Sequence, residues 1–143
     1  MPTREEPAVS ETPTDPFLAF WGERRLCMLA SPRPDGSIHQ VPVGATYDPG
    51  RRLVRVIADG ASFKARNLAA HPGALVSVSQ VEGARWSTLE GTATVTGEAG
   101  AVAEAVRLYT GRYRAPRPNP ARVAIEIAVT RELGNVGPAP QGD

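Results

Sequence analysis

Apolar positions recur along the chain with two different periods, and these divide it into helices and strands. Asp15-Pro16 reads as a helix start, a capping carboxylate followed by proline at the first helical position. Phe17, Leu18, Phe20 and Trp21 supply its apolar face, and Gly22 ends it. Arg25 to Ala30 is a short apolar strand that stops at the turn Pro32 to Gly36. Ser37 to Tyr47 alternates loosely up to Asp48-Pro49-Gly50, and Arg51 to Ala58 alternates more clearly. These three segments read as a meander of antiparallel strands. Ala61 to His71 has helical spacing and stops at Pro72-Gly73. Strands over Ala74 to Gln80 and Arg85 to Val95 follow, joined by Val81 to Ala84. Glu98 to Tyr109 is an Ala-rich helix, and Gly111 to Pro120 is a loop rich in Arg and Pro. In the last strand, Arg122 to Thr130, Val123, Ile125, Ile127 and Val129 alternate with Ala124, Glu126 and Ala128.

The order is α-β-β-β-α-β-β-α-β, without regular βαβ alternation. It predicts a mainly β fold, a six-stranded antiparallel barrel with short flanking helices. The interior of so small a barrel is filled by its own side chains. A large ligand therefore has to bind in an outer groove or between subunits, and a homodimer would supply such a groove.

At 143 residues the chain has the size of one domain. Residues 1–14, with Pro2, Pro7 and Pro13 among polar and acidic neighbours, read as a disordered tail. Residues 15–137 form the folded domain, and 138–143 a flexible C-terminus. No apolar run is long enough to span a bilayer, and the start lacks the pattern of a secretion signal. The single cysteine, Cys27, sits in an apolar strand and reads as an inert buried thiol, and no Cys/His cluster suggests a metal. The expectation is a cytoplasmic, metal-free protein that neither enters a membrane nor binds nucleic acid, because it is only weakly basic and has 6% aromatics.

The formal charge of +1 conceals an asymmetry: residues 1–16 carry −3, so the remainder carries +4. Lys64 is the only lysine, and the other fifteen basic residues are arginines. A folded part rich in guanidinium groups suits an anionic small molecule.

Three stretches carry candidate chemistry. Ala61 to Asn67 (ASFKARN) opens a helix directly after a strand. Unpaired N–H groups, Ser62, Lys64 and Arg66 make it a candidate phosphate site, or a plain serine cap with surface cations. In Gln80 to Gly91 (QVEGARWSTLEG), Trp86 could stack on a flat ring with Arg85 and Gln80 at its polar edges, or be a core or interface tryptophan. In Arg112 to Pro120 (RYRAPRPNP), prolines stiffen a loop presenting Arg112, Arg114 and Arg117 to something anionic or to a neighbouring subunit. His39 and His71 have no nucleophile at a suggestive spacing, so no catalytic triad is supported. A protein without its own acid, base or nucleophile can still be an enzyme when a bound cofactor does the chemistry, and hydride transfer is the obvious case.

The strand order and the Ser62-Phe63-Lys64 helix start resemble the split-barrel flavin-binding superfamily that includes pyridoxamine phosphate oxidase. Within it, QVEGARWSTLEG and RYRAPRPNP resemble the deazaflavin-dependent B-type oxidoreductases of actinobacteria, including their biliverdin-reducing members. The likeness runs from about Phe17 to Val136. It implies a homodimer with two cofactor sites at the subunit interface and reduced coenzyme F420 as hydride donor. The acceptor it implies is a conjugated organic molecule, biliverdin giving bilirubin being the favoured case.

The resemblance lays the deazaflavin along Gln40, Val41, Pro42, Val43, Gly44 and Ala45, read largely by backbone groups. Ile57 and Ala58 flank it, Ser62 and Lys64 hold its phosphate, and Asn67 lies in the same helix. Gln80, Arg85 and Trp86 would close the site. Related flavin enzymes have an Arg-Lys pair at the helix start. Phe63 takes the first of those positions here, which makes FMN the less favoured cofactor. Arg66, Arg112, Arg114 and Arg117 would meet the oligoglutamate tail of the cofactor or substrate propionates. The alternatives are an FMN-dependent oxidoreductase of the same fold and a non-catalytic carrier of F420 or a tetrapyrrole.

Overall fold

The computed structural model describes residues 15–136. The expected tail over 1–14 and C-terminus over 138–143 lie outside the described residues. The elements are α1 (Pro16–Gly22), β1 (Cys27–Pro32), β2 (Ile38–Val43), β3 (Ala45–Asp48), β4 (Leu53–Asp59), α2 (Phe63–Ala70), β5 (Ala74–Glu82), β6 (Arg85–Thr96), α3 (Ala99–Arg112) and β7 (Arg122–Gly134). The helix starts follow the capping residues. Asp15 accepts from the Phe17 N–H, Ser62 from Ala65, and Glu98 from Gly100 and Ala101.

The strands form one antiparallel sheet in the order β2-β1-β5-β6-β7-β4-β3. Its two edge strands, β2 and β3, are consecutive in the chain and separated by Gly44 alone. In a flat seven-stranded sheet those edges would stand roughly 29 Å apart, far beyond the reach of one residue. The sheet must therefore curl until its edges meet, giving a barrel split between β2 and β3. The six strands expected are thus seven, because the run Ser37 to Tyr47 breaks at Gly44. Its first half pairs with β1 and its second with β4.

Leu29, Val78 and Leu89 lie opposite one another across β1, β5 and β6, and Val54 and Val56 face Ile127 and Ile125. All seven are fully buried. Phe17, Phe20 and Trp21 of α1 close one end of this core. Ala65 and Leu68 of α2 close the other, where Asn67 Nδ2 donates to the Pro32 carbonyl at 2.8 Å. Helix α3 packs outside, on β3, β4 and β7. The alternation expected for β7 is present, with Ile125, Ile127 and Val129 buried, and the strand runs four residues further than expected.

Candidate functional site

The split is built from three pieces of chain. Strand β2 is an edge strand, so one side of its backbone carries N–H and C=O groups without a partner strand. Across from it, β3 pairs with β4 only as far as Val56. Ile57, Ala58 and Asp59 therefore present a second free edge. Three residues after Asp59 the chain reaches Ser62 and turns into α2, whose first residue, Phe63, rests edge-on against His39 of β2 with ring centroids 4.9 Å apart. The structure thus brings together Gln40, Val41, Pro42, Val43, Gly44 and Ala45, the Ile57-Ala58 edge, and the start of α2 with Phe63 and Lys64.

At that helix start Ser62 Oγ accepts from the Ala65 N–H at 3.3 Å and donates to the Asp59 carbonyl at 2.7 Å. Its proton is therefore committed to the cap. The N–H groups of Phe63 and Lys64, at the first two helical positions, have no acceptor within the helix. With the Lys64 ammonium beside them they suit a phosphate. Arg66 is exposed and donates from Nε to the Ala61 carbonyl at 3.0 Å. Asn67 is buried and spent on Pro32.

Below the helix start, a groove of about 460 Å³ is lined by Arg33, Pro34, Asp35, His39 and Phe63. His39 Nδ1 and Ser31 Oγ, residues directly opposed across β1 and β2, are both shut off from solvent without a partner among the described residues. Burial, together with the Arg33 and Lys64 charges, holds the His39 imidazole below its ordinary 6.5.

Two expected contact residues are placed elsewhere. Gln80 is 4% exposed and Arg112 is 9% exposed. Their side chains meet inside the molecule, where Arg112 Nη2 donates to Gln80 Oε1 at 2.6 Å. Arg85 reaches back over α1, pairing with Glu23 at 3.3 Å and lying over the Phe20 ring. Together with Arg25 it holds the Glu23 carboxyl below the usual range. Only Arg114 and Arg117 of the loop point to solvent as expected.

Trp86 is half-buried on the outer face of β6, opposite Val81 of β5. It stands three strands, roughly 14 Å, from β2, so within one chain it does not reach the split. That same outer face, over β2, β1 and β5, carries Ile38 (69% exposed), Met28, Leu75 (74% exposed) and Val81. A groove of about 490 Å³ runs along it between Ile38, Leu75 and the Glu90–Arg131 pair. The sequence offered a signal for this face in the apolar residues at outward positions of Ser37 to Tyr47 and Ala74 to Gln80. Strand pairing brings Ile38 and Leu75 to one end of this face and Met28 and Val81 to the other, with Gln40, Ala30 and Ser77 in the row between.

Among the described residues no helix is long and apolar enough to cross a membrane, and no three His, Cys, Asp or Glu side chains converge as a metal site.

The family model described as pyridoxamine 5'-phosphate oxidase matches residues 13–134. An F420H(2)-dependent biliverdin reductase from Mycobacterium tuberculosis is 49% identical over 122 residues, which cover 85% of this chain and 88% of that protein. Among solved structures, a conserved hypothetical protein from Mycobacterium tuberculosis superposes with a TM-score of 0.71 at 22% identity, over 95% of this chain and 90% of the other. An F420 reductase superposes with a TM-score of 0.61 at 20% identity, over 78% of this chain and 91% of the other.

Proposed function

Because the chain belongs to the pyridoxamine 5'-phosphate oxidase family, we propose that it is a reductase that uses reduced coenzyme F420, held in the split of its barrel, and that its acceptor is biliverdin. The observation that carries this reading is the 49% identity to the mycobacterial F420H(2)-dependent biliverdin reductase over nearly the full length of both chains. The split suits such a group. The Phe63 and Lys64 N–H groups and the Lys64 ammonium would hold its phosphate, and the backbone on the free side of Gln40 to Val43 would read its ring edge, with Ile57 and Ala58 opposite. When bound, reduced F420 supplies a hydride.

The chain itself contributes binding, orientation and exclusion of water. Arg66, Arg114 and Arg117 are exposed near the ends of elements that border the split, and their charge suits carboxylates of the cofactor tail or the acceptor's two propionates. Guanidinium groups hold their protons too tightly to act as acids, so the proton that accompanies hydride addition comes from solvent.

The apolar outer face of β2, β1 and β5 argues for a homodimer. An exposed run of Ile38, Met28, Leu75 and Val81 on one sheet face is costly in water and is covered by a second copy of the chain. That pairing also lets Trp86 act on the split of the other protomer.

The test is a spectrophotometric assay with purified protein, reduced F420 and biliverdin, following cofactor reoxidation and pigment colour together. Both signals should change in the wild type, and Lys64→Ala should bind F420 markedly more weakly in a fluorescence titration. F420 binding without pigment change discards the acceptor. Co-purified FMN with no affinity for F420 discards the cofactor.

A further inference from the structure

The Arg112 guanidinium lies at the C-terminus of α3, far from the loop arginines in its surroundings. Nε donates to the Glu23 carbonyl at 2.9 Å, Nη1 to the Ala45 carbonyl at 2.6 Å, and Nη2 to Gln80 Oε1 at 2.6 Å. Gln80 passes the chain of bonds on, donating from Nε2 to the Phe20 carbonyl at 2.8 Å. The next residue, Tyr113, donates its hydroxyl proton to the Arg25 carbonyl at 2.7 Å and accepts the Ala45 N–H at 3.2 Å. Both backbone polar groups of Ala45 are therefore held by consecutive residues, the last of α3 and its C-cap. Burial of the Tyr113 phenol pushes it up to about 12, so it stays protonated and can both donate and accept throughout the physiological range.

Ala45 is the first residue of β3, directly after the single-residue crossing that joins the barrel's two edges. Holding it sets where β2 ends and how wide the split stands. Arg114 and the proline-stiffened loop start one residue beyond Tyr113, so the same clamp anchors the loop that carries Arg114 and Arg117. We propose that Arg112 and Tyr113 are positioning residues, a buried clamp on Ala45 that sets the edge strand and the arginine loop in register with each other for cofactor and acceptor. This rests on the reading of the split as the cofactor site.

Arg112→Ala would orphan three buried acceptors at once and could prevent folding. Tyr113→Phe is the discriminating variant, since it removes one hydroxyl and leaves the ring beside Tyr109. Three readouts on the full chain decide: hydrogen exchange of the Ala45 amide, thermal melting, and F420 affinity with the kcat and KM for biliverdin. The expected result is faster exchange at Ala45 and F420 affinity weakened roughly tenfold, the cost of one buried hydrogen bond. Arg112→Lys should restore part of the affinity that Arg112→Met loses. A Tyr113→Phe protein that melts lower yet binds and turns over like the wild type overturns the proposal, leaving a merely structural bond. Unchanged exchange at Ala45 overturns the clamp itself. A wild type that binds no F420 overturns the functional reading, and the positioning role with it, while exchange still judges the clamp.

Discussion

Gly44 lies against the Tyr109 ring: a β-carbon placed on it would stand 2.5 Å from Tyr109 Cε2 and 3.2 Å from Tyr113 Cε2. The one residue that joins the two edges of the barrel is thus the one over which α3 presses its aromatic pair, whose ring centroids are 4.9 Å apart. Gly44→Ala should cost about 1–3 kcal/mol, measured by denaturant unfolding. Combining it with Tyr109→Leu should recover part of that loss, because the clash belongs to the pair. Additive losses in the double variant would place the strain elsewhere.

His39 gives a pH dependence whose sign follows from its surroundings. Its imidazole is held below 6.5 by burial and by the Arg33 and Lys64 charges, with Asp35 the one acidic group lining the same groove. The unfolded chain therefore binds the proton more readily than the folded one. The contribution of His39 is complete above pH 6.5 and is lost as pH falls through the lower folded value. His39→Gln should flatten that decline in melting temperature below pH 6.5. An NMR titration of His39 should find its midpoint below 6.5, moving upward when inorganic phosphate or F420 is added, since an anion beside Lys64 offsets the positive neighbours.

The apolar outer face predicts an oligomeric state. Sedimentation of the wild type should give a dimer. Leu75→Glu, which places a charge at a 74% exposed position, should shift it toward monomer with little change in the melting of the monomer itself. A wild type that sediments as a monomer at high concentration would count against the face as an interface.

Cys27 is fully buried, and burial pushes its thiol above the usual value despite the nearby Arg112 guanidinium, 3.8 Å away. A neutral, enclosed thiol is unreactive. Native protein should leave a thiol reagent colourless at pH 8 over the time in which denatured protein reacts with one equivalent. Rapid labelling of the native state would mean that the α1 end of the barrel opens.

Much of this molecule is legible along the chain. The starts of α1 and α2 follow from Asp15-Pro16 and Ser62, because a cap is a contact within one turn. The alternation of β7 follows from a two-residue period that one buried face imposes on any strand. Lys64 at a helix start after a strand, and the motifs around Trp86 and Arg112, are likewise local and carry the family resemblance. The seventh strand was not legible, since nothing within Ser37 to Tyr47 says that its halves pair with opposite edges of one sheet. Nor were the fates of Gln80 and Arg112. A guanidinium in an Arg- and Pro-rich stretch reads as solvent-facing until folding brings Glu23 to it across 89 positions and Ala45 across 67. Helix caps, apolar faces and family membership can be read along the chain, because those depend on neighbours within a turn or a strand. Which polar groups face the split and which are consumed in holding it is settled only on folding, because a buried hydrogen bond depends on partners that closure of the barrel brings within reach.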